Sequence, residues 1–114
     1  MDNASFQLKV AIFKALAHPV RLRISEELLG GEKCVCDLVA LFNFDRTTIS
    51  KHLAVLKSAG VIRDRKEGLF VFYSLNLECL GMMIGCISKS IENELRDHLD
   101  SLDSAKFEIP VKRP

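Results

Sequence analysis

Four cysteines carry the most specific chemistry in this 114-residue chain. Their thiolates are soft ligands, suited to arsenic(III), antimony(III), lead, cadmium, zinc and copper(I). The N-terminal residues MDNASFQLKV lack the basic and apolar regions of a secretory signal, so we expect a cytoplasmic, reducing environment. Structural disulfides are not expected in such an environment. The cysteines therefore indicate metal binding or thiol redox chemistry, and they are Cys34, Cys36, Cys79 and Cys86.

The spacing of the cysteines decides which of them can act together. Inside a regular helix, Cys34 and Cys36 would point to different faces and could not share one ion. In an extended segment before a helix, or in its first turn, they can converge, and Gly30-Gly31 just upstream permits such a segment. Cys79 and Cys86 are about 10 Å apart along a helix, so they cannot chelate one ion without local unwinding.

An apolar stripe with helical spacing predicts a helix from the N-cap Asp45 to about Ser58. The stripe consists of Ile49, Leu53 and Leu56. The opposite face is cationic and rich in hydrogen-bond donors, which suits the major groove of DNA. The candidate DNA-binding residues of this helix are Arg46, Thr47, Thr48, Ser50, Lys51 and His52.

Two short strands are predicted around the turn Lys66-Glu67-Gly68. A donor-rich helix followed by a basic hairpin indicates a winged helix-turn-helix, in which the hairpin lies along the DNA backbone. Residues 45–68 carry six Lys or Arg against three acidic residues, whereas residues 76–103 carry two against six. The basic end of the molecule can therefore face DNA. The candidate phosphate contacts of the wing are Arg63, Arg65 and Lys66.

Four more helical segments complete the prediction. They run over 6–17, from Pro19 to about Gly30, over 33–42 and over 77–102. The first is apolar around much of its girth and the last has a long Ile/Leu stripe, so we expect a homodimer formed through the first and last helices. The expected fold is mainly α with a small β-hairpin wing. We expect one domain over 1–103 and a flexible tail over 104–114.

The sequence does not favour an enzyme or a membrane protein. No His or carboxylate stands at a recognisable spacing to activate a nucleophile, so no catalytic residue is expected. No apolar run approaches the ~18 residues of a membrane span.

Four stretches of the chain resemble the ArsR/SmtB family of metal-sensing transcriptional repressors. They are ALAHPVRLRI (15–24), CVCDL (34–38), TTISKHLAVLKSAGVI (47–62) and RKEGLFVFYSL (65–75). The likeness is to the arsenic-responsive members. It implies a dimeric repressor of a metal or metalloid resistance operon that leaves its operator when As(III) or Sb(III) binds cysteine thiolates. Cadmium, lead and zinc are the alternative inducers. Arg46 stands where many members carry Gln, so the base preference there cannot be carried over.

The resemblance leaves the composition of the metal site open. Arsenic-sensing members supply a third thiolate where this chain has Val39, so a two-thiolate site and a third ligand from Cys79 or Cys86 are both alternatives. Other members carry a His/carboxylate metal site on the last helix. Most of its ligands are absent here, and only Asp97-His98, at a shifted position, resembles them. At the positions that correspond to that site, this chain carries Leu77, Cys79, Ser90 and Asn93. The alternative function is a thiol-redox or persulfide-responsive repressor, which would join Cys79 to Cys86 or one cysteine from each cluster.

Overall fold

The computed structural model describes residues 3–98 of the chain. Within this range the fold has five helices and three strands. The helices are α1 (Asn3–Leu16), α2 (Pro19–Glu27), α3 (Val35–Leu41), α4 (Arg46–Ser58) and α5 (Leu80–His98). The strands are β1 (Lys33–Cys34), β2 (Ile62–Glu67) and β3 (Phe70–Leu75). A short 3-10 turn, Leu28–Gly30, follows α2. This is the predicted winged helix-turn-helix, in which α3 and α4 form the helix pair and β2 and β3 form the wing.

Local sequence explains where α2 and α4 begin and where α4 ends. His18 caps α2, because its Nδ1 accepts a hydrogen bond from the amide of Val20, and Pro19 follows as the first helical residue. Asp45 caps α4, because its carboxylate accepts from the amide of Thr48 at 2.8 Å. Gly60, with φ of 85°, reverses the chain after α4 and leads it into β2.

The wing is part of a three-stranded antiparallel sheet in the order β1-β3-β2. In the hairpin, Ile62 pairs with Leu75 at the base and Glu67 pairs with Phe70 at the tip. Gly68, at φ 62°, provides the positive φ that a two-residue hairpin turn requires. The prediction that residues 33–34 begin the third helix is wrong, because Lys33 and Cys34 pair with β3 as an extra strand.

The hydrophobic core lies where α2, α3 and α4 meet the base of the wing. The predicted apolar stripe of α4 is confirmed, since each of its three members is fully buried. Leu38 and Phe42 from α3 and its end, and Ile24 from α2, are also fully buried against them. This packing fixes α3 against α4 and leaves the opposite face of α4 toward solvent.

The last helix is shorter at its start than predicted. It begins at Leu80, because Leu77 is irregular and Glu78-Cys79 form a turn. The predicted end of this helix near residue 102 and the predicted tail over 104–114 lie outside the described residues. Within residues 3–98, no helix is both long enough and apolar enough to span a bilayer.

Candidate DNA-binding surface and thiol site

The solvent face of α4 presents the donors that the sequence predicts for DNA. Arg46, Thr47, Ser50 and Lys51 are exposed, whereas Thr48 is half-buried and its amide is used by the Asp45 cap. The amide of Thr48 is also the main cause that lowers the pKa of the Asp45 carboxyl. In the part of the chain that the structure describes, Arg46 and Lys51 form no ion pair, so both cations are available to phosphates or bases.

His52 lies on the edge of α4 that faces α2. Its ring centroid is 4.6 Å from that of His18, and Arg21 Nη1 lies 3.5 Å from its Nδ1. Arg21 is itself anchored by donating from Nε to the carbonyl of Ala15 at 2.7 Å. Burial, followed by the charges of His18 and Arg21, lowers the pKa of His52. Burial and then Arg21 lower the pKa of His18. The position of His52 favours a role in supporting α4 over direct contact with bases.

The wing cations differ sharply in their surroundings. Arg63 and Lys66 are exposed and form no ion pair within residues 3–98, although Arg63 Nε lies 3.4 Å from Ser74 Oγ. Arg65 is held by two carboxylates. It donates to Glu32 from Nε at 2.8 Å and from Nη2 at 2.6 Å, and to Glu67 from Nη1 at 2.7 Å.

The ion pair between Arg65 and Glu32 shifts the pKa of both of its members. Hydrogen bonds to Glu32 and Glu67 raise the pKa of Arg65, and the bond from Arg65 lowers the pKa of Glu32. A second pair, Lys57 Nζ to Asp64 Oδ2 at 3.0 Å, joins the end of α4 to β2. Two of the six bases counted in the sequence therefore already have acidic partners, and the positive charge available to DNA is smaller than their number indicates.

The thiol site lies at the junction of β1 and α3. The sulfurs of Cys34 and Cys36 and a carboxylate oxygen of Asp37 all lie within 4.8 Å of one another. Cys34 is the N-cap of α3 and has extended backbone, with φ −82° and ψ 163°. This conformation lets its side chain meet that of Cys36 in the first turn. The carboxylate of Asp37 accepts a hydrogen bond from the amide of Cys34 at 3.2 Å, which holds it beside the sulfurs.

Cys34 and Cys36 form a disulfide in this structure, with their Cα atoms 5.3 Å apart. Structural disulfides were not expected, so this bond departs from the expectation drawn from the sequence. The physical reason is the extended N-cap, which brings the Cα atoms within the separation that a disulfide requires. Cys34 is 7% exposed, whereas Cys36 is exposed to solvent. The pair is therefore open to exogenous thiols and ligands from the side of Cys36.

Cys79 and Cys86 are not brought to this site. Both are free and exposed, Cys79 in the turn before α5 and Cys86 within α5. The Sγ of Cys79 contacts Met83 Sδ at 3.8 Å. The disulfide alternative that joined these two cysteines, or one from each cluster, is not the pairing the structure shows. Across residues 3–98, the group around Cys34 is the only set of three or more His, Cys, Asp or Glu side chains placed to hold a metal. Asp97 and His98 belong to no such set.

Three residues at these sites were missed by sequence reasoning. Asp37 stands three residues after the N-cap, a spacing at which an acidic side chain returns to the cap, so the pattern could have revealed it. Glu32 had no signal, because its partner Arg65 is distant in sequence. Leu69 is 98% exposed at the tip of the wing. Its place in the hairpin turn could have predicted this exposure.

Comparison with known proteins agrees with this architecture. Residues 18–64 match the family model described as "Bacterial regulatory protein, arsR family". The chain is 38% identical over 88 residues to the transcriptional repressor SdpR of Bacillus subtilis (strain 168), covering 74% of this chain and 97% of SdpR. It is 44% identical over 73 residues to the arsenical resistance operon repressor of Escherichia coli (strain K12), covering 63% of this chain and 62% of that protein.

The fold is shared with a solved homodimeric winged helix-turn-helix DNA-binding domain, Mb0332 from Mycobacterium bovis. The TM-score is 0.75 at 27% identity, over 86% of this chain and 94% of that one. The match spans almost the whole of SdpR but only about three fifths of the E. coli arsenical repressor. These relatives and fold neighbours are DNA-binding transcriptional regulators and not enzymes. With its helix-turn-helix, its basic wing and these matches, the chain belongs to the arsR family of bacterial regulatory proteins.

Proposed function

We propose that this protein is a homodimeric repressor that leaves its operator when a soft metalloid or metal binds Cys34 and Cys36. The observation that carries the proposal is the convergence of the two sulfurs and the Asp37 carboxylate within 4.8 Å. That convergence lies at the start of the helix that packs against the DNA-binding helix. The relative that regulates arsenical resistance supports arsenic(III) or antimony(III) as the inducer class.

Two apolar faces support a dimer. Phe6, Leu8 and Phe13 on α1, and Met82, Ile87 and Ile91 on α5, are large apolar side chains at least 47% exposed. A second copy of the chain would cover them, and the similar Mb0332 domain is homodimeric. A two-fold dimer would place its two α4 helices in successive major grooves, about 34–36 Å apart.

Inducer binding requires the reduced pair. The Cys34–Cys36 disulfide takes up two electrons and two protons from a thiol reductant to give two thiols. Arsenous acid then condenses with them, forming two As–S bonds and releasing two water molecules. The remaining hydroxyl would stay on arsenic or would leave as water if the Asp37 carboxyl group took its place, because Val39 supplies no local thiolate. Cadmium, lead and zinc are also suited to thiolates.

The structure offers a short route from this chemistry to DNA. Cys34 is the N-cap of α3, and α3 packs against α4 through Leu38 and Phe42, which are fully buried. Changing the bonds at Cys34 therefore acts on the start of the helix that supports α4. Because packed interiors transmit displacements, a shift of α3 would change the orientation of α4.

The test is fluorescence anisotropy of the reduced protein on a palindromic operator from its own promoter. Arsenite, antimonite, cadmium and zinc are titrated into wild type, the Cys34→Ser/Cys36→Ser variant and a matched Cys79→Ser/Cys86→Ser variant. We expect arsenite to release wild type and the second variant but not the first. Release that survives loss of Cys34 and Cys36, but not of Cys79 and Cys86, would place the sensor on α5 instead.

The disulfide itself favours a second candidate, a repressor that responds to oxidation. Hydrogen peroxide would oxidise the two thiols to the disulfide and be reduced to two molecules of water. In the same anisotropy assay, peroxide rather than arsenite would then release the DNA, and a thiol reductant would restore binding. Mass spectrometry separates the two candidates, since oxidation removes two hydrogens whereas arsenite adds a stoichiometric adduct. Release by neither reagent would refute both.

A further inference from the structure

A row of side chains crosses the sheet from the thiol site to the wing. Cys34 on β1 pairs with Phe72 on β3, and Phe72 pairs with Arg65 on β2. Directly paired residues project to the same face of an antiparallel sheet. The guanidinium of Arg65 lies over the Phe72 ring, 4.7 Å from its centroid. Cys34, Phe72 and Arg65 are therefore adjacent to one another in this order across the three strands.

An ion pair closes the same path from the other side. Glu32 immediately precedes β1 and accepts from Arg65 at two nitrogens, with distances of 2.8 and 2.6 Å. Two parallel bonds between a guanidinium and a carboxylate fix orientation as well as distance. Such a pair, unlike a single surface contact, has the geometry at which exposed ion pairs contribute measurably. It ties the segment that ends at Cys34 to the middle of β2.

We propose that Glu32 is the positioning residue through which the thiol site controls the wing. Glu32 holds Arg65, and through it the β2–β3 hairpin, in a fixed position relative to Cys34. A change of bonding at the Cys34 sulfur moves β1, and the ion pair transmits this movement to the hairpin. This inference rests on the proposed function, because it assigns a second output to the same thiol site.

The proposal also changes the role predicted for Arg65. A guanidinium that already donates to two carboxylates must lose those bonds before it can bind a phosphate. Arg63 and Lys66, its neighbours on β2, have no such partners within residues 3–98. Arg65 is therefore the residue that orients the wing, and its neighbours contact the backbone of DNA.

The chain offers a matched control in Glu67. Glu32→Gln and Glu67→Gln each remove one carboxylate beside Arg65, so they change the net charge near DNA equally. Of these two carboxylates, only Glu32 lies beside β1, whereas Glu67 lies on the same strand as Arg65. The two variants therefore separate mechanical coupling from electrostatics.

The experiment measures the ratio of operator dissociation constants with and without arsenite, for wild type and both variants. A coupled regulator has a ratio of about 5 to 150. For a wild-type ratio of about 100, we expect Glu32→Gln to lower it about tenfold and Glu67→Gln to leave it within about twofold. The exchanged variant Glu32→Arg/Arg65→Glu should recover part of the ratio. An unchanged ratio in Glu32→Gln, or an equal loss in both variants, would overturn the proposal.

A second measurement tests the coupling separately. It applies if none of the titrated ions releases wild type, a result that would refute the proposed function but not the coupling. Amide hydrogen exchange of residues 62–67, the strand β2 that does not itself pair with β1, is compared between the disulfide and reduced forms of each protein. We expect reduction to change exchange in the wing of wild type and Glu67→Gln, and to leave Glu32→Gln unaffected. A wild-type wing that does not respond to reduction would overturn the coupling itself.

Discussion

The salt dependence of operator binding tests which cations reach the DNA phosphates. Among the basic residues of α4 and the wing, four have no acidic partner within residues 3–98, namely Arg46, Lys51, Arg63 and Lys66. It excludes Lys57 and Arg65, because Asp64, Glu32 and Glu67 already neutralise them. The proposed dimer would therefore contact about eight phosphates if each cation binds one.

These contacts set the expected magnitude. Each neutralised phosphate contributes about −0.9 to the slope of log affinity against log salt, so about eight contacts give a slope near −7. Affinity should then fall about 10⁴-fold between about 50 and about 200 mM salt. Lys51→Ala or Lys66→Ala removes two contacts from a dimer and should reduce the slope by about 2. Arg65→Gln should change it less, since that cation is already paired.

The assay is operator anisotropy across this range of salt, with Lys89→Ala as the matched control. Lys89 is an exposed lysine on α5, in the acidic part of the chain, and its removal should leave the slope unchanged. Wild-type slopes retained in both Lys51→Ala and Lys66→Ala would refute this surface. An equal loss in Lys89→Ala would show that net charge, rather than these positions, governs binding.

Three further predictions concern the scaffold. Leu53→Ala, at a fully buried position of α4, should lower the free energy of unfolding by about 3 kcal/mol in urea denaturation. Val55→Ala on the same helix, where Val55 is 42% exposed, should cost about 1 kcal/mol or less. Folding lowers the pKa of His18 and His52, so the unfolded chain binds more protons in weak acid. The free energy of unfolding should therefore fall as pH drops below about 6.5, and His18→Asn/His52→Asn should flatten that dependence. Gly68→Ala, at φ 62°, should destabilise the hairpin by about 1 kcal/mol and speed amide exchange at its tip.

The helix α4 was predictable because the residues that specify it are close together in the sequence. Asp45 and the apolar stripe specify the start and the buried face of α4, and both hold in the structure. The strand β1 was not predictable, because two residues carry no periodic pattern and its partner lies far along the chain. The start of α5 was predicted too early for a similar reason, since a contact with a distant residue decides it. Apolar Leu77 fits a helical stripe, but its amide instead donates to the carbonyl of Val61 beyond α4.

The thiol site shows a different kind of limit. The spacing of Cys34 and Cys36 left two geometries open, and only the backbone at the N-cap selects the converging one. Two acidic residues lie beside the thiol site. Asp37 is close in sequence and accepts from the amide of Cys34, whereas Glu32 is bound to Arg65, which is distant in sequence. A pattern can reveal the first, whereas the second depends on the register of the sheet.

The position of Cys34 suits the proposed control of two elements, α4 and the wing, from one small ligand site. Cys34 is both the last residue of β1 and the N-cap of α3. One direction along the chain leads to α3 and then, through buried apolar side chains, to α4. The other leads across β3 and the Glu32–Arg65 pair to the wing. A ligand at the Cys34 sulfur therefore acts where these two paths meet, and Glu32→Gln should interrupt only the second. The arsenite response that survives in that variant measures the share carried by α3.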